Sequence, residues 1–298
     1  MNVIVDILRC PVYTVGNTRM GKFAFAVLTE MELKLPFYLL GVGVDFHQEM
    51  DPHNRPKGFP HYQWIQCEEG EGILHVDGQK HVVGADQAMF LYPGVSHRYY
   101  PVTSPWKVHW FTFGGKNLPP ILDVAGLRES GVYSVVHAEQ LVNKMRVAFF
   151  HLLSDSNLKG LECSSLVYDF LITLMKYAHH SDDEPVVIKY SRLKPVFDFI
   201  EHHYQDIITI DDLAATLDVT PQHLCHLFKE TMNHRPFEYV NSFRIARSKD
   251  LMVQQPELSL SEVAEQCGYE SLSYFSSVFR KTEGLSPGEY KKVHLGRV

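Results

Sequence analysis

The spacing of apolar residues divides the chain into two parts. Up to about Phe113, short segments such as GILHVDG and HVVGADQAMFLYPG alternate apolar and polar positions and stop at Gly, Asp or Pro. This alternation predicts half-buried β-strands. In HVDGQKHVV, the pair Asp77-Gly78 offers the positive φ that a tight turn needs, which predicts a β-hairpin.

From about His137 the apolar residues recur at intervals of three and four. The segments EQLVNKMRVAFFHLL and LECSSLVYDFLITLMKYAHH predict two amphipathic helices. The acidic segment SDDEP, which ends in proline, predicts a linker, and everything after Ser191 predicts helix. We therefore expect a two-domain, β + α protein. Its predicted parts are a β domain at 1–136, a helical dimerisation region at 137–180, a linker at 181–190 and an all-α domain at 191–298.

The two helices near Glu139–Leu153 and Leu161–Tyr177 predict a dimer interface. Their apolar stripes exceed what one flank of a β domain needs. The alternative is that the two helices pack on each other. The stripes include Leu141, Met145, Phe149, Leu166, Phe170 and Leu174.

The helical part contains an internal repeat. TIDDLAATLDV matches SLSEVAEQCGY further along the chain, and HLCHLFKETMNHRPFEY then matches YFSSVFRKTEGLSPGEY. Each copy predicts a short helix, a tight turn and a second helix, and Ala214 and Ala264 leave room for the helices to cross closely. Thr220 and Ser271 are the expected N-caps of the second helices. The repeat predicts two helix-turn-helix motifs.

The segment between the copies, Asn241 to Met252, predicts a linker helix. At 1.5 Å per residue, a helix of roughly 15 residues spans about 22 Å. With the packed motifs at its ends, the two second helices would lie about 34 Å apart, one turn of B-DNA.

Length and composition limit the class of protein. The 298 residues are 45% hydrophobic, enough for two domains with a sizeable core. The apolar runs are shorter than the ~20 residues of a membrane span, and the N-terminus lacks the basic region of a signal peptide. The five cysteines are scattered and form no CxxC pair, which favours free thiols in a reducing cytoplasm over disulfides or structural zinc. We expect a cytoplasmic protein without a cofactor.

The charge balance constrains any binding to nucleic acid. The net charge is −7, and from Ser191 onward 12 Lys and Arg stand against 15 Asp and Glu, a balance of −3. If the helical part binds DNA, its basic groups must be clustered rather than abundant.

The chain from Ser191 onward resembles the AraC/XylS family of bacterial transcription regulators. The resemblance implies a double helix-turn-helix domain that binds double-stranded DNA. It rests on the second motif, whose matching residues are Ala264, Gly268-Tyr269, Tyr274-Phe275-Ser276, Phe279-Arg280 and Gly284-Leu285-Ser286-Pro287.

The resemblance also implies which residues contact DNA. Gln suits adenine, Ser reads several bases, and Cys225 suits a thymine methyl. The alternative is that these are solvated helix faces and plain surface charges. The implied base readers are Gln222, Cys225 and His226 in the first motif and Leu272, Ser273, Ser276 and Ser277 in the second. The candidates for phosphate contact are Arg244, Arg247, Lys249, Arg280, Lys281, Lys291 and Lys292.

The segment GEGILHVDGQKHVVGADQAMFLYPGVSHRYYP resembles the second half of a cupin β-barrel, including its Pro-Gly-x-x-His element at Pro93 to His97. The paired His-x-His with a downstream Glu is missing, and YQWIQCEEGEG stands in its place. A metal centre needs three or four converging ligands. His61, His75 and His109 are the candidates to join His97, but separate core or surface histidines are favoured. We expect no metal.

RPKGFPHYQWIQCEEGEG further resembles the sensor domain of arabinose-responsive regulators. By position, that resemblance assigns the ligand contacts to Arg55, Tyr99 and Trp110, and we add His97 as a fourth candidate. An Arg fork donates to hydroxyls, Tyr donates and accepts, and a Trp face packs on a sugar ring. Val108 stands where these sensors have a pocket histidine. The alternative is that the aromatics are ordinary core.

Together these features predict a regulator of carbohydrate-utilisation genes that responds to a sugar or glycoside. The implied partners are double-stranded DNA, a sugar-like effector, a second copy of the chain and RNA polymerase, with no membrane. Two alternatives stay open. One is a cupin-type sugar-modifying enzyme with an accessory helical domain, and the other is a regulator governed by a partner protein.

Overall fold

A computed structural model describes residues 15–18, 21–48, 52–180 and 183–296. The chain forms two compact units that divide between Val186 and Val187, within the predicted linker. In the part of the chain that is described, no helix combines the length and apolar character required to cross a membrane.

The first unit holds the predicted strands, arranged in two antiparallel sheets. Among the described residues the strands are β1 (Val15–Thr18), β2 (Gly21–Phe25), β3 (Tyr38–His47), β4 (His53–Arg55), β5 (Tyr62–Glu69), β6 (Gly72–Val76), β7 (Gln79–Val83), β8 (Gln87–Leu91), β9 (His97–Pro101), β10 (Lys107–Gly114), β11 (Gly131–Val135) and β12 (Ala178–His179). The larger sheet has the strand order β1-β2-β3-β10-β5-β8-β11-β12 and the smaller sheet β4-β9-β6-β7.

The predicted hairpin is confirmed between β6 and β7. Val76 pairs with Gln79, so Asp77 and Gly78 form the two-residue turn. Both have positive φ, 50° and 73°. These angles match the right-handed twist of the strands that the turn joins.

Among the described residues, three α-helices complete the first unit: α1 (Leu118–Val124), α2 (Ala138–Leu152) and α3 (Lys159–Tyr177). They pack on the outer face of the larger sheet, where Trp64, Phe90, Phe111 and Phe113 meet Phe170 in one core. Strands β11 and β12 and helix α1 were not predicted. β11 pairs with β8, and β12 pairs with β11. Both strands therefore form through pairing with residues that are distant in the sequence.

The apolar stripes of α2 and α3 bear on the predicted dimer interface, which stays a prediction. The stripe residues belong to the core of their own chain, in line with the alternative that the helices pack on each other and on the sheet. They offer no free surface to a second copy. Leu141, Met145, Phe149, Phe170 and Leu174 are buried, and Leu166 is partly buried against the same core.

The second core lies between the inner faces of the two sheets. Ile65, Met89 and Val108 of the larger sheet meet Leu74 and Tyr99 of the smaller sheet. The sheets therefore enclose a common interior, as the predicted cupin-like domain requires.

The second unit is helical throughout. Its helices are α4 (Val186–His203), α5 (Ile210–Ala215), α6 (Pro221–Met232), α7 (Pro236–Gln254), α8 (Leu260–Gln266), α9 (Leu272–Glu283) and α10 (Pro287–Leu295). Helix α4 starts inside the predicted linker. The linker helix α7 has 19 residues and so spans about 28 Å, longer than expected from the sequence.

Each helix-turn-helix motif has its own core. Val240 of α7 joins the core of α4, α5 and α6. Ile245 and Met252 of α7 join the core of α8, α9 and α10. The two motifs therefore share α7 as a common element, one at each end.

Equivalent positions of the repeat have the same backbone geometry. Thr209 and Ser259 each form a capping box at the start of α5 and α8. In the turns that follow, Asp218 and Gly268 both have positive φ, 54° and 78°. Helices α6 and α9 begin with Thr and Ser N-caps and end at left-handed C-caps. The internal repeat is thus a structural repeat.

Candidate functional site

The inner face of the smaller sheet carries a polar patch. In the β4–β9 ladder, Arg55 pairs with His97 and His53 pairs with Tyr99, so these four side chains share one face. The ring of Tyr99 stacks on His53 at 4.8 Å between centroids and lies nearly parallel to His97 at 6.2 Å. Three of the four predicted ligand contacts are therefore neighbours.

Arg55 begins a polar row that crosses to the larger sheet. Its guanidinium donates to Oε1 of Gln63 on β5, and Nε2 of Gln63 donates to Oγ1 of Thr112 on β10 at 3.2 Å. The guanidinium carbon also lies 4.6 Å from the ring centroid of Phe59. A hydroxylated ligand would meet donors and acceptors along this row.

His97 is buried, and its two ring nitrogens differ. Nδ1 donates to the carbonyl of Val95 at 2.8 Å, which leaves Nε2 as an acceptor in the neutral ring. Nε2 is buried and has no hydrogen-bond partner among the described residues. Burial, together with the charge of Arg55, lowers the pKa of His97, although the bond to Val95 acts in the opposite direction. Burial likewise lowers the pKa of His53.

Trp110, the fourth predicted ligand contact, lies on the inner face of the larger sheet. It pairs with Gly43 of β3, where a Cβ atom would lie 2.1 Å from the indole nitrogen. The indole therefore rests directly on the strand backbone, beside Phe25 and Phe46. It stays half-buried, unlike the fully buried Trp64 and Trp106.

The other candidate histidines lie elsewhere. His75 pairs with Arg98 on the outer face of the smaller sheet and contacts Tyr100. His109 accepts from the Asp45 amide and contacts Glu68 at 2.9 Å, on the outer face of the larger sheet. The structure therefore does not bring His75 or His109 to His97.

Asp45, Glu68 and His109 are a set of metal-ligating side chains whose ligand atoms lie within 4.8 Å of one another. Lys107 already contacts Asp45 at 3.1 Å and Glu68 at 2.6 Å, and Arg146 of α2 approaches both carboxylates. These cations supply the positive charge that a metal would bring. We interpret the set as an ion-pair network between the sheet and α2.

Sequence reasoning missed His53 in the polar patch, and it missed Gln63 and Thr112 in the polar row. A signal for them exists, because strand residues two apart share a face. His53 lies two residues before Arg55, and Thr112 two residues after Trp110. Gln63 was harder to find, since only the pairing of β5 with β10 places it beside Thr112.

In the helical unit, the first candidate DNA-reading face lies on α6. Gln222, Cys225 and His226 are exposed, while Leu224 and Phe228 hold the helix in its core. The spacing therefore turns the three predicted base readers away from the motif and into solvent. His226 lies 3.6 Å from Glu230 on the same helix.

The second face lies on α9. Leu272, Ser273 and Ser277 are exposed, and Ser276 is half-buried. Tyr274 is 56% exposed on the same helix and was missed by sequence reasoning, which treated it as a family motif residue. Its hydroxyl adds a donor and an acceptor to this face.

The seven candidates for phosphate contact fall into two groups. Arg280, Lys281 and Lys292 are exposed. The other four have intramolecular partners: Arg244 donates to the Tyr204 and Asp206 carbonyls, Arg247 lies near Glu201 and Asp250, Lys249 contacts Glu283, and Lys291 donates to the Pro256 and Leu258 carbonyls. Contact with DNA stays a prediction for all seven and for the base readers.

The helix caps account for part of the negative charge of this unit. Asp212, Glu238, Glu262 and Glu289 each accept from a backbone amide at the start of a helix. Hydrogen bonds from the cap hydroxyls of Thr209, Ser259 and Ser286, followed by those from the backbone amides, lower the pKa of Asp212, Glu262 and Glu289, and the Arg235 amide lowers the pKa of Glu238. The acidic residues therefore serve folding and lie at helix starts, which leaves the exposed faces of α6 and α9 with few carboxylates.

Comparison with known proteins assigns a family to each unit. Residues 42–171 match the AraC-like ligand binding domain, and residues 213–292 match a helix-turn-helix domain. The lactose operon transcription activator of Staphylococcus xylosus is 25% identical over 230 residues, which is 75% of this chain and 81% of the relative. The arabinose operon regulatory protein of Salmonella typhimurium is 23% identical over 248 residues, 80% of this chain and 86% of the relative. The probable transcriptional regulator LumQ of Photobacterium leiognathi is 26% identical over 272 residues, 88% and 98%.

Proposed function

This chain belongs to the AraC/XylS family of DNA-binding transcription regulators with a ligand-binding domain, and we propose that its effector is a sugar or glycoside bound between the two sheets. The regulator would then control genes for carbohydrate use. Two relatives are named for lactose and arabinose operons, which supports this class of effector.

One observation carries the proposal. The row from Arg55 through Gln63 to Thr112 lies on the inner faces of the sheets, and the half-buried Trp110 lies on the same face of β10 as Thr112. Nε2 of His97, across the ladder from Arg55, has no partner among the described residues. Polar groups that converge beside an aromatic surface are the features that fix a sugar ring in a protein site. An interior built only for stability would not need this row.

A ligand screen followed by site variants tests the effector. A sugar that binds the folded chain must raise its unfolding temperature by mass action. Trp110→Ala should then weaken binding through loss of the stacking surface, and Arg55→Ala through loss of donors. DNA binding without effector, measured in parallel, should match that of the parent. If both variants bind effector like the parent, the site is misplaced.

DNA recognition would follow from the exposed faces of α6 and α9. Gln222→Ala should cost about 1–3 kcal/mol at one operator position and relax its specificity, as expected for a base reader. Lys281→Met should weaken binding to all sequences and reduce the salt dependence by about one counterion. A Gln222 variant that weakens all sequences equally would contradict base reading.

The isolated helical unit offers a test that does not depend on the effector. A fragment that starts at Pro185 keeps α4 intact and both helix-turn-helix cores complete. We expect it to bind upstream DNA of its own or a neighbouring gene with steep salt dependence. A folded fragment without any salt-dependent preference for such DNA would refute this assignment of the site.

Dimerisation through the predicted helical region is also part of the proposal, and we assign it to the exposed side of α2. Val147 and Phe150 on the outer side of α2 are 52% and 67% exposed, and Leu153 at its C-cap is 39% exposed. Spacing of three places them along one side of the helix. Phe150→Glu should therefore lower the dimer fraction in sedimentation at high micromolar concentration. A mass that is monomeric for the parent as well would remove the idea.

Effector binding would act on DNA affinity through the dimer. A ligand shifts such an equilibrium only if it binds two arrangements unequally, and about 1–3 kcal/mol of coupling is typical. RNA polymerase as a partner and the cytoplasmic location stay predictions from the sequence.

A further inference from the structure

The interior patch on β4 and β9 is rich in basic groups and poor in acidic ones. Arg55 lies directly across the ladder from His97, a pairing that brings Cβ atoms to about 5 Å, and His53 lies on the same face. Among the described residues, no ion pair joins Arg55 to a carboxylate, and its donor contact is to the neutral amide of Gln63.

The electrostatic surroundings of the two histidines point the same way. Apart from burial and hydrogen bonding, the neighbouring charges that lower the pKa of these histidines are positive. Arg55 acts on both His97 and His53, and His97 acts on His53. Elsewhere in this unit a half-buried cation has its counter-ions, as Lys107 has Asp45 and Glu68. Arg55 has no such counter-ion among the described residues.

His97 offers a second contact to a negatively charged ligand group beside Arg55. Its Nδ1–H is held by the Val95 carbonyl, and Nε2 is buried without a partner among the residues that the structure describes. When the ring takes a second proton, that proton resides on Nε2 and becomes a donor. A group with negative oxygens beside Arg55 would accept from both side chains.

We propose that the effector is an acidic sugar, and that its carboxylate or phosphate lies against Arg55 and Nε2 of His97. This inference rests on the proposed function and narrows its effector class. A charge-assisted hydrogen bond to a buried partner is stronger than a neutral one. A neutral sugar would leave the half-buried charge of Arg55 without a counter-ion among the described residues.

The sign of the pH dependence separates an acidic from a neutral effector. A carboxylate at His97 favours the protonated ring, so its affinity rises as the pH falls from 7.5 to 5.5. A phosphate ester itself takes up a proton near about pH 6, so this comparison uses the uronates. A neutral hydroxyl that donates to Nε2 needs the unprotonated ring, so its affinity falls over the same range. The other titratable or charged groups on this face are His53, Arg55 and Tyr99. Protonation of His53 would reinforce the first trend, and burial raises the pKa of Tyr99, so its hydroxyl stays neutral over this range.

The experiment is a calorimetric titration of the full chain with matched sets of probes. Glucuronate and glucose 6-phosphate are compared with glucose, and galacturonate and galactose 6-phosphate with galactose. We expect at least one acid to bind about 10-fold or more tightly than its neutral parent, a difference of about 1.4 kcal/mol. Preference for the uronates would identify a carboxylate ligand, and preference for the phosphates a phosphate ligand.

Variants establish that the preference arises at this patch. Arg55→Gln removes the charge, leaves a shorter polar side chain, and should abolish the preference for the acid. His97→Gln should flatten the rise in affinity at low pH. Arg98→Gln is the matched control, because Arg98 is exposed on the outer face of the same ladder and should change neither property. Thermal unfolding of each variant without ligand checks that it is folded.

Three outcomes would overturn the inference. If the neutral sugars bind and their acids bind no better, the effector is a neutral sugar and the proposed function stands. If an acid is preferred equally by the Arg55 variant and the parent, the anion binds elsewhere. If no probe of either kind binds or raises the unfolding temperature, the sugar assignment itself fails together with the acidic one.

Discussion

Arg244 allows a direct test between a structural and a DNA-binding role. The family resemblance places it at a phosphate, but in the structure Nε donates to the Tyr204 carbonyl at 2.7 Å and a terminal nitrogen donates to the Asp206 carbonyl at 2.8 Å. These carbonyls follow the last turn of α4, whose final carbonyls have no partner within the helix. The guanidinium also lies 5.5 Å from the Tyr269 ring. Arg244 therefore connects the end of α4 to the turn of the second motif.

Replacement by Met keeps the apolar stem and removes both hydrogen bonds. A hydrogen bond from a charged donor contributes about 1.5–3 kcal/mol. The two carbonyls lie near the surface and can accept from water instead, so we expect the variant to lose about 2–4 kcal/mol of unfolding free energy. With a urea m-value of about 1.5 kcal/mol/M, a loss of 3 kcal/mol lowers the midpoint by about 2 M.

Two optical probes report on different units in the same urea titration. All three tryptophans, Trp64, Trp106 and Trp110, belong to the first unit, so their fluorescence is an internal reference. Circular dichroism at 222 nm follows the helices and should show the shifted transition of the second unit. The fluorescence midpoint should not change.

Lys281→Met is the matched control, because Lys281 is exposed on α9. It should leave both unfolding midpoints unchanged and should reduce the salt dependence of DNA binding by about one counterion. The structural interpretation is refuted if Arg244→Met keeps the circular dichroism midpoint and instead reduces the salt dependence as the Lys281 variant does. Arg244 would then bind phosphate, as the resemblance implies.

Two further predictions concern stability. Gly268→Ala should destabilise the second unit by about 2–4 kcal/mol in urea unfolding, because the φ of Gly268 is +78° and a Cβ there would lie 2.4 Å from the Tyr204 carbonyl oxygen. As the control, Asp218→Gly at the equivalent repeat position should change the unfolding free energy by less than about 1 kcal/mol. The first unit should lose stability as the pH falls below about 6.5. Burial lowers the pKa of His53, His97 and His109, so below this pH the unfolded chain binds protons that the folded rings do not. An unfolding free energy, followed by tryptophan fluorescence, that is higher at pH 5.5 than at pH 7.5 would contradict this.

The features that the sequence alone determined are local ones. The change from alternating to helical spacing separates the β-rich from the helical part, because side-chain direction follows secondary structure with a fixed period. Asp77-Gly78 determines its hairpin through backbone conformation. The repeat copies share caps and positive-φ turns, at Asp218 and Gly268 for example, because each depends on residues within one or two helical turns.

Tertiary structure alone decided which partner each long or ionisable side chain has. The basic residues of the helical unit look alike in the sequence, yet Lys281 is exposed while Arg244 contacts carbonyls about forty positions earlier in the chain. The stripes of α2 and α3 were visible, but whether the sheet or a second chain covers them depends on packing between distant elements. His97 meets Arg55 only through the β4–β9 register. Strand pairing is set by long-range contacts that no local pattern encodes, because a shift of one residue would place the other set of side chains on the inner face.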